Sequence, residues 1–167
     1  MNPLVFLLLA LVTLPALAQA DDIDFLCSKT PFPAVYASTL RADPKSKGAT
    51  TLKLGLIVVA KVESIVKVAL KKVKSSQHSA MDPNLKSALT NCASRYHAIL
   101  IGDVVASRES LTKGDYKFAE EYMTDASIEL GLCEEGFPPR QSSPVKRENN
   151  SMKQLAEVAA AISRTLL

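Results

Sequence analysis

Between Asp82 and Cys133 the apolar residues recur at a helical period on both sides of a single turn. Leu85, Leu89, Cys92, Tyr96 and Ile99 follow one another at steps of four, three, four and three. Ala119, Met123, Ala126, Leu130 and Cys133 repeat those steps. This is the period of an amphipathic helix; a half-buried strand would alternate every second residue. Asp82-Pro83 supplies an N-cap followed by proline at the first helical position. Lys113-Gly114 separates the two limbs, and Asp115 is the candidate cap of the second. Residues equidistant from the turn of an antiparallel helical hairpin lie at one level. Cys92 and Cys133 are equidistant from a point just ahead of Lys113, at the turn, so their spacing predicts a disulfide that staples the far end of the hairpin.

Thr51 to Ser75 is the longest regular stretch. Leu52, Leu56, Val59, Val62, Val66, Leu70 and Val73 mark one face, and Lys61, Lys67, Lys71 and Lys74 fall largely on another. Ile57-Val58-Val59 suits a strand by propensity. Length overrides it, because a proline-free run this long exceeds any usual strand; the reading is helix, with Gly55 as a small local cost. The lysines read as a solvated face. Ser143-Pro144 repeats the cap-and-proline device, and Met152, Leu155, Val158, Ile162 and Leu166 form a last amphipathic helix. Asp21 to Leu40 gives two short helical pieces broken at Pro31-Phe32-Pro33. Neither could stand alone in water, so both are expected to dock on the bundle end. The connectors are polar: 41–49, 76–81 with His78, and 136–143. Four long helices with short connections imply antiparallel neighbours. The expectation is an all-α, up-down-up-down four-helix bundle with an N-terminal helical hairpin extension, stapled by one disulfide.

Residues 1–20 read as a signal peptide and 21–167 as one domain. Val5 to Leu17 is almost wholly apolar yet short for a membrane span, Ala18-Gln19-Ala20 has the small-x-small form of a cleavage site, and Asp21-Asp22 follows. The chain is therefore expected to be secreted and, after cleavage, free of the membrane. A net charge of +3 and 5% aromatic residues argue against nucleic-acid binding. A mildly basic secreted protein still favours acidic surfaces, acidic polysaccharides among them. With Cys92 and Cys133 paired, Cys27 is left over. A buried free thiol is the preferred reading, and an intermolecular bridge the alternative. Asn149-Asn150-Ser151 is an acceptor sequon that permits glycosylation of Asn149.

The catalytic inventory is thin. His78 and His97 form no metal-ligand pair, and there is no Glu-x-x-His, phosphate loop or nucleophile elbow. Glu120-Glu121 and Glu134-Glu135 are adjacent pairs, whose side chains diverge by about 100° on a helix. Cys27 lacks a histidine partner, and Asp24 would raise its thiol pKa. The chain is expected to be no enzyme and to hold no metal or cofactor. Binding remains.

In its order of short motifs the chain resembles the plant invertase/pectin methylesterase inhibitors, including their plane-pollen allergen branch. The motifs are Cys27-Ser28-Lys29-Thr30, Asp43-Pro44-Lys45-Ser46, Asp82-Pro83-Asn84-Leu85-Lys86 and Asn91-Cys92, then Lys113-Gly114-Asp115-Tyr116, Cys133-Glu134-Glu135-Gly136-Phe137 and the Ser143-Pro144 helix start. The resemblance implies a disulfide-stapled bundle secreted to the apoplast or cell wall, with the vacuole as a further destination. Its partner would be a cell-wall enzyme whose active-site cleft it occupies as a one-to-one complex. The family's N-terminal hairpin has its own disulfide; its second cysteine would fall at Tyr36, which leaves Cys27 orphaned. Invertase inhibitors present Pro-Lys-Phe at the start of the third bundle helix, where this chain has Tyr116-Lys117-Phe118. Lysine and phenylalanine match and favour an acid invertase (β-fructofuranosidase) as target. Tyrosine after Gly-Asp looks like the pectin methylesterase inhibitors and makes pectin methylesterase the alternative. On a bland reading Phe118 merely packs into the bundle end. A non-inhibitory structural or ligand-carrying wall protein is a further alternative.

Overall fold

The computed structural model describes residues 18–139 and 142–167, with side chains from Ile23 onward. Most of the expected signal segment lies outside the described residues. Two short helices, α1 (Ala18–Ser28) and α2 (Pro33–Arg41), precede a 3-10 turn at Pro44–Ser46. The bundle then comprises α3 (Thr51–Ser79), α4 (Pro83–Ala98), α5 (Val104–Lys113), α6 (Tyr116–Glu135) and α7 (Lys146–Thr165). α4 and α5 form one limb, joined through a π-helical turn at Ile99–Asp103. α3 packs on this limb, the limb on α6, α6 on α7, and α7 back on α3, an up-down-up-down ring.

Local chemistry sets the helix starts. The Asp82 carboxylate accepts the Asn84 N–H at 2.9 Å, and Thr50 Oγ1 accepts that of Lys53 at 3.3 Å. The last helix departs from the expected start: its N-cap is Val145, which makes no side-chain capping bond, and Ser143 Oγ accepts the Val145 N–H at 3.2 Å in the turn ahead of α7. Asp115 occupies the cap position of α6 but its side chain makes no capping bond; only its carbonyl accepts, from Ala119 N–H at 3.2 Å. α3 also runs further than its apolar pattern suggested. His78 sits in its last turn, Nδ1 2.7 Å from the Lys74 carbonyl, and not in a connector.

Two departures from the apolar pattern have packing causes. On α3, Val59, Val62, Val66 and Val73 are fully buried, but Leu54, Val58 and Ala69 take core positions while Leu52, Leu56 and Leu70 are half-buried. Gly55 explains the rotation. A Cβ there would lie 3.3 Å from Ile162 Cγ2 and 3.7 Å from Leu111 Cδ1, so its hydrogen lets α3 approach α7. The residue read as a local cost is a close-packing point. On the other limb, an α-helical step of four from Ile99 would drive Asp103 into the core. The π turn adds one residue per turn, and Val104, Ser107 and Leu111 are buried instead. Asp103 is left half-buried beside Asp125 and Glu129 of α6. Burial, and then these two carboxylates, push its carboxyl up to about 6.

Cys92 and Cys133 are bonded, with Cα atoms 4.7 Å apart and both residues wholly buried. Cys27 is buried and unpaired. Tyr36, fully buried, lies against it in the place where a second cysteine would close the hairpin. Burial foremost, then Asp24, raises the Cys27 thiol pKa, with Arg41 opposing. Burial and the neighbouring sulfur raise that of Tyr36. Arg41 and Asp24 close the hairpin outside with an exposed 2.8 Å ion pair.

Two outcomes follow from this packing. Replacing both Cys92 and Cys133 by serine should lower unfolding free energy by about 4 kcal/mol, the chain-entropy value for a loop of this size, read from urea melts; non-reducing peptide mapping should find this linkage and leave Cys27 alkylatable after unfolding. The second concerns Asp103. A carboxyl with a folded pKa above its unfolded value favours folding most at acid pH, and that advantage is lost as pH rises from about 4 through about 6. Asp103→Asn should therefore raise stability at pH 7 by about 1–3 kcal/mol and change it little at pH 4, as measured by denaturation at both pH values.

Candidate target-binding site

The turn between α5 and α6 is fixed from both sides. Gly114 ends α5 in the left-handed region (φ 84°), a conformation that favours glycine, and its N–H returns to the Leu111 carbonyl at 3.4 Å. The Asp115 N–H bonds the Ser110 carbonyl at 2.9 Å. α6 then starts at Tyr116, whose ring is half-buried against the core. With Tyr116 turned inward, the next two side chains turn out. Phe118 is 56% exposed, which removes the reading in which it packs into the bundle end. Lys117 is exposed beside it, with Nζ 3.3 Å from Glu120 Oε2 and 3.7 Å from Glu121 Oε1.

Glu120 is the buried member of this group. Arg164, in the last turn of α7, places Nε at 2.8 Å and Nη2 at 2.5 Å from its Oε1. The hydrogen bond from Arg164 holds the Glu120 carboxyl below its usual range against the opposing effect of burial. One carboxylate thus ties the end of α7 to the N-terminal part of α6 and also receives Lys117. Neither Glu120 nor Arg164 was singled out for this role from the sequence, because nothing local relates residues 44 positions apart. Beyond Arg164 lies an open groove of about 560 Å³ between α6, α7 and the α1–α2 turn, lined in part by Lys29, Thr124, Ile128 and Glu157.

The remaining candidates lie elsewhere. Cys27 belongs to the N-terminal hairpin, and His97 is exposed on α4. Asn149 is at the opposite end of the bundle, beside the disulfide, and only 2% exposed. The Tyr96 hydroxyl donates to its Oδ1 at 2.5 Å, and its Nδ2 lies 3.0 Å from Cys133 Sγ and also contacts Glu134 Oε1. Ser143 Oγ donates to that same Glu134 oxygen at 2.8 Å. The sequon asparagine is thus buried in the folded bundle, with its amide engaged in this network.

The description "Plant invertase/pectin methylesterase inhibitor" belongs to a family whose profile matches residues 21–162. The chain belongs to this family. The chain is 32% identical over 145 residues to "Cell wall / vacuolar inhibitor of fructosidase 1" of Arabidopsis thaliana, covering 87% of this chain and 69% of that relative. It is 27% identical over 151 residues to the "Pectinesterase inhibitor" of Actinidia deliciosa, covering 89% and 81% of the two chains. Among solved structures, a mutant form of an Arabidopsis pectin methylesterase inhibitor superposes with a TM-score of 0.76 at 22% identity, over 87% of this chain and 97% of that one. At that identity the superposition speaks for the fold.

The buried network makes Asn149 a stability residue. Asn149→Ala would leave the Tyr96 hydroxyl and Glu134 short of a partner and should cost about 2 kcal/mol or more, within the range for a broken buried polar network, read from urea melts. Intact-mass analysis of the secreted protein should find residue 149 without glycan.

Proposed function

We propose that this family member is a secreted inhibitor that binds and blocks the active-site cleft of a plant acid invertase, with pectin methylesterase as the alternative target. The carrying observation is the joint exposure of Lys117 and Phe118 on the first turn of a helix whose position is fixed by Gly114, Tyr116 and the Glu120–Arg164 pair. A cation beside an aromatic ring suits a pocket walled by carboxylates, as sugar hydrolases have. Preorganisation lowers the ordering cost of binding, and a desolvated charge and a buried ring are the kinds of anchor that dominate interfaces. The fructosidase inhibitor named above supports this target. Tyr116 in place of proline, and the pectinesterase inhibitor among the relatives, support the alternative.

Inhibition on this reading is occupancy without chemistry by the inhibitor, so no catalytic residue, metal or cofactor is assigned to it. Residues 1–20 would be removed on secretion and 21–167 delivered to the apoplast or cell wall, with the vacuole as a further site consistent with the name of the fructosidase inhibitor.

Phe118→Ala and Lys117→Ala should each weaken inhibition of purified acid invertase by at least about 2 kcal/mol, roughly thirtyfold in affinity. Tyr116→Pro should keep inhibition, since proline suits the first helical turn, while the loss of a half-buried ring lowers the melting temperature. Undiminished invertase inhibition by the Lys117→Ala, Phe118→Ala double variant would refute the assignment of this site. Inhibition of pectin methylesterase alone, indifferent to both changes, would instead establish the alternative target.

A further inference from the structure

Charge is unevenly spread over this bundle. The whole chain is only +3, yet α3 and α4 together hold Lys53, Lys61, Lys67, Lys71, Lys72, Lys74, Lys86 and Arg95 against a single carboxylate, Glu63. Inter-helix contacts show which edge of α3 faces the neighbouring limb. Glu63 bonds Arg108 of α5, and Gln77 Nε2 bonds Thr90 Oγ1 of α4 at 2.6 Å. Lys67 follows Glu63 by four residues and Lys74 precedes Gln77 by three, which puts both on this edge, while Lys71, a further four on, lies on the adjoining outer face. On α4, Lys86 precedes Thr90 by four and His97 follows it by seven, which puts both on the facing edge. Gln77, His78 and Lys86 line one surface pocket, where the two edges meet. The result is a shallow track about 16 Å long from Lys67 to His78, at 1.5 Å per helical residue.

Its residues are little engaged with one another or with acids. Lys67 pairs with Glu63 at 2.6 Å, but Lys71, Lys74 and Lys86 form no ion pair among the described residues, and all are exposed. Like charges at these spacings cost an isolated helix about 0.2–0.5 kcal/mol per pair. The helix dipole favours cations only in the last turn, which here spans Ser76–Ser79. A row of cations of which only Lys67 is paired, and which neither packing nor the dipole explains, is suited to a polyanion.

We infer that the α3–α4 edge is a binding track for an acidic polysaccharide, a polyuronate chain. The named track residues include no aromatic ring on which bases would stack, and the exposed apolar side chains nearby are two separate ones, Val68 on α3 and Met81 in the α3–α4 connector, not the continuous apolar face of a membrane-seated helix. The track runs toward the α3–α4 connector, away from the α5–α6 turn with Lys117 and Phe118, so a chain bound here would leave that end free. This inference does not rest on the choice of target enzyme.

The test is retention of the full secreted protein on immobilised polygalacturonate at low ionic strength. Lys71→Glu, Lys74→Glu should weaken binding at least about tenfold and flatten its salt dependence, because contacts that displace counterions are lost. Lys45→Glu, Lys61→Glu makes the same change in net charge near the α2–α3 connector and should weaken binding by no more than about twofold to threefold. Highly methyl-esterified pectin, which lacks most of the charges, should not retain the protein. Circular dichroism confirms folding of each variant, and inhibition assayed on a small soluble substrate should be unchanged by Lys71→Glu, Lys74→Glu. Equal losses in the two variants, or retention indifferent to Lys71 and Lys74, would overturn the inference. So would binding to anionic phospholipid vesicles or RNA in preference to polygalacturonate.

Discussion

Two antiparallel helices can present side chains at their turn in a fixed direction only if the limbs cannot slide. Here the limb α4–α5 and helix α6 are held at both ends. Gly114 sets the turn through a backbone conformation that favours glycine, and Cys92–Cys133 joins the far ends covalently. A slip of one helical turn would move one limb past the other by about 5.4 Å, which the bridge forbids. Between these ends, Arg95 meets Glu129 at 2.5 Å and Ser107 Oγ donates to the Ala119 carbonyl at 3.4 Å. Helix α7 holds the same hairpin from outside. Its Asn149 contacts Cys133 at one end and its Arg164 grips Glu120 at the other, so one straight element spans both fastenings. The outward direction of Lys117 and Phe118 is the product of this frame, since Tyr116 can be drawn inward only while α6 stays in register.

What could be read from residues alone was whatever local period carries. The faces of α4 and α6 were legible because their apolar residues stand isolated among polar ones, and each named residue of α6 is buried. α3 was legible as a helix but not in its rotation. Apolar side chains at Leu52, Leu54, Leu56, Ile57, Val58 and Val59 surround the helix, and the choice among them falls to Gly55 against Ile162. The π turn was hidden for the same reason. Ile99, Leu100, Ile101, Val104 and Val105 make almost every register apolar, and only the position of Asp103 distinguishes them. The sequon at Asn149 shows the converse, a clear local pattern whose burial could not be read locally. Within the candidate site, the turn and the exposed pair were legible from Gly114 and the helix start. Glu120 and Arg164 were not, because their pairing exists only once α7 lies beside α6.

Two sets of buried or half-buried polar groups have opposite consequences. Tyr96, Asn149, Glu134 and Ser143 satisfy one another around the disulfide, so their burial specifies where α7 begins at little electrostatic cost. Asp103 is different: its named neighbours are carboxylates, and the nearby cation Arg95 is already engaged by Glu129. The π turn limits the damage by moving Asp103 from the core to its edge. It does not abolish the conflict, which protonation relieves. Asp103 thus favours acid conditions at a position that the apolar packing could not accommodate otherwise, while the ion-paired carboxyls of Glu63, Glu120 and Glu148, held below their usual range, act in the opposite direction.

Target choice must be settled on a much smaller scale than the fold. Relatives named for fructosidase and for pectinesterase inhibition stand at 32% and 27% identity to this chain, so either activity is compatible with similar overall divergence. The core cannot discriminate between such targets, because its residues face one another. The candidate discriminators are the side chains that the frame turns outward, and at the α6 start these are Lys117 and Phe118. The first helical position works indirectly. Proline there would stiffen the approach without a packed ring, whereas Tyr116 anchors the same turn through the core and leaves the backbone its amide. Both solutions can hold a cation and a ring in place, which is why a departure at Tyr116 is compatible with a conserved presentation of the two residues after it.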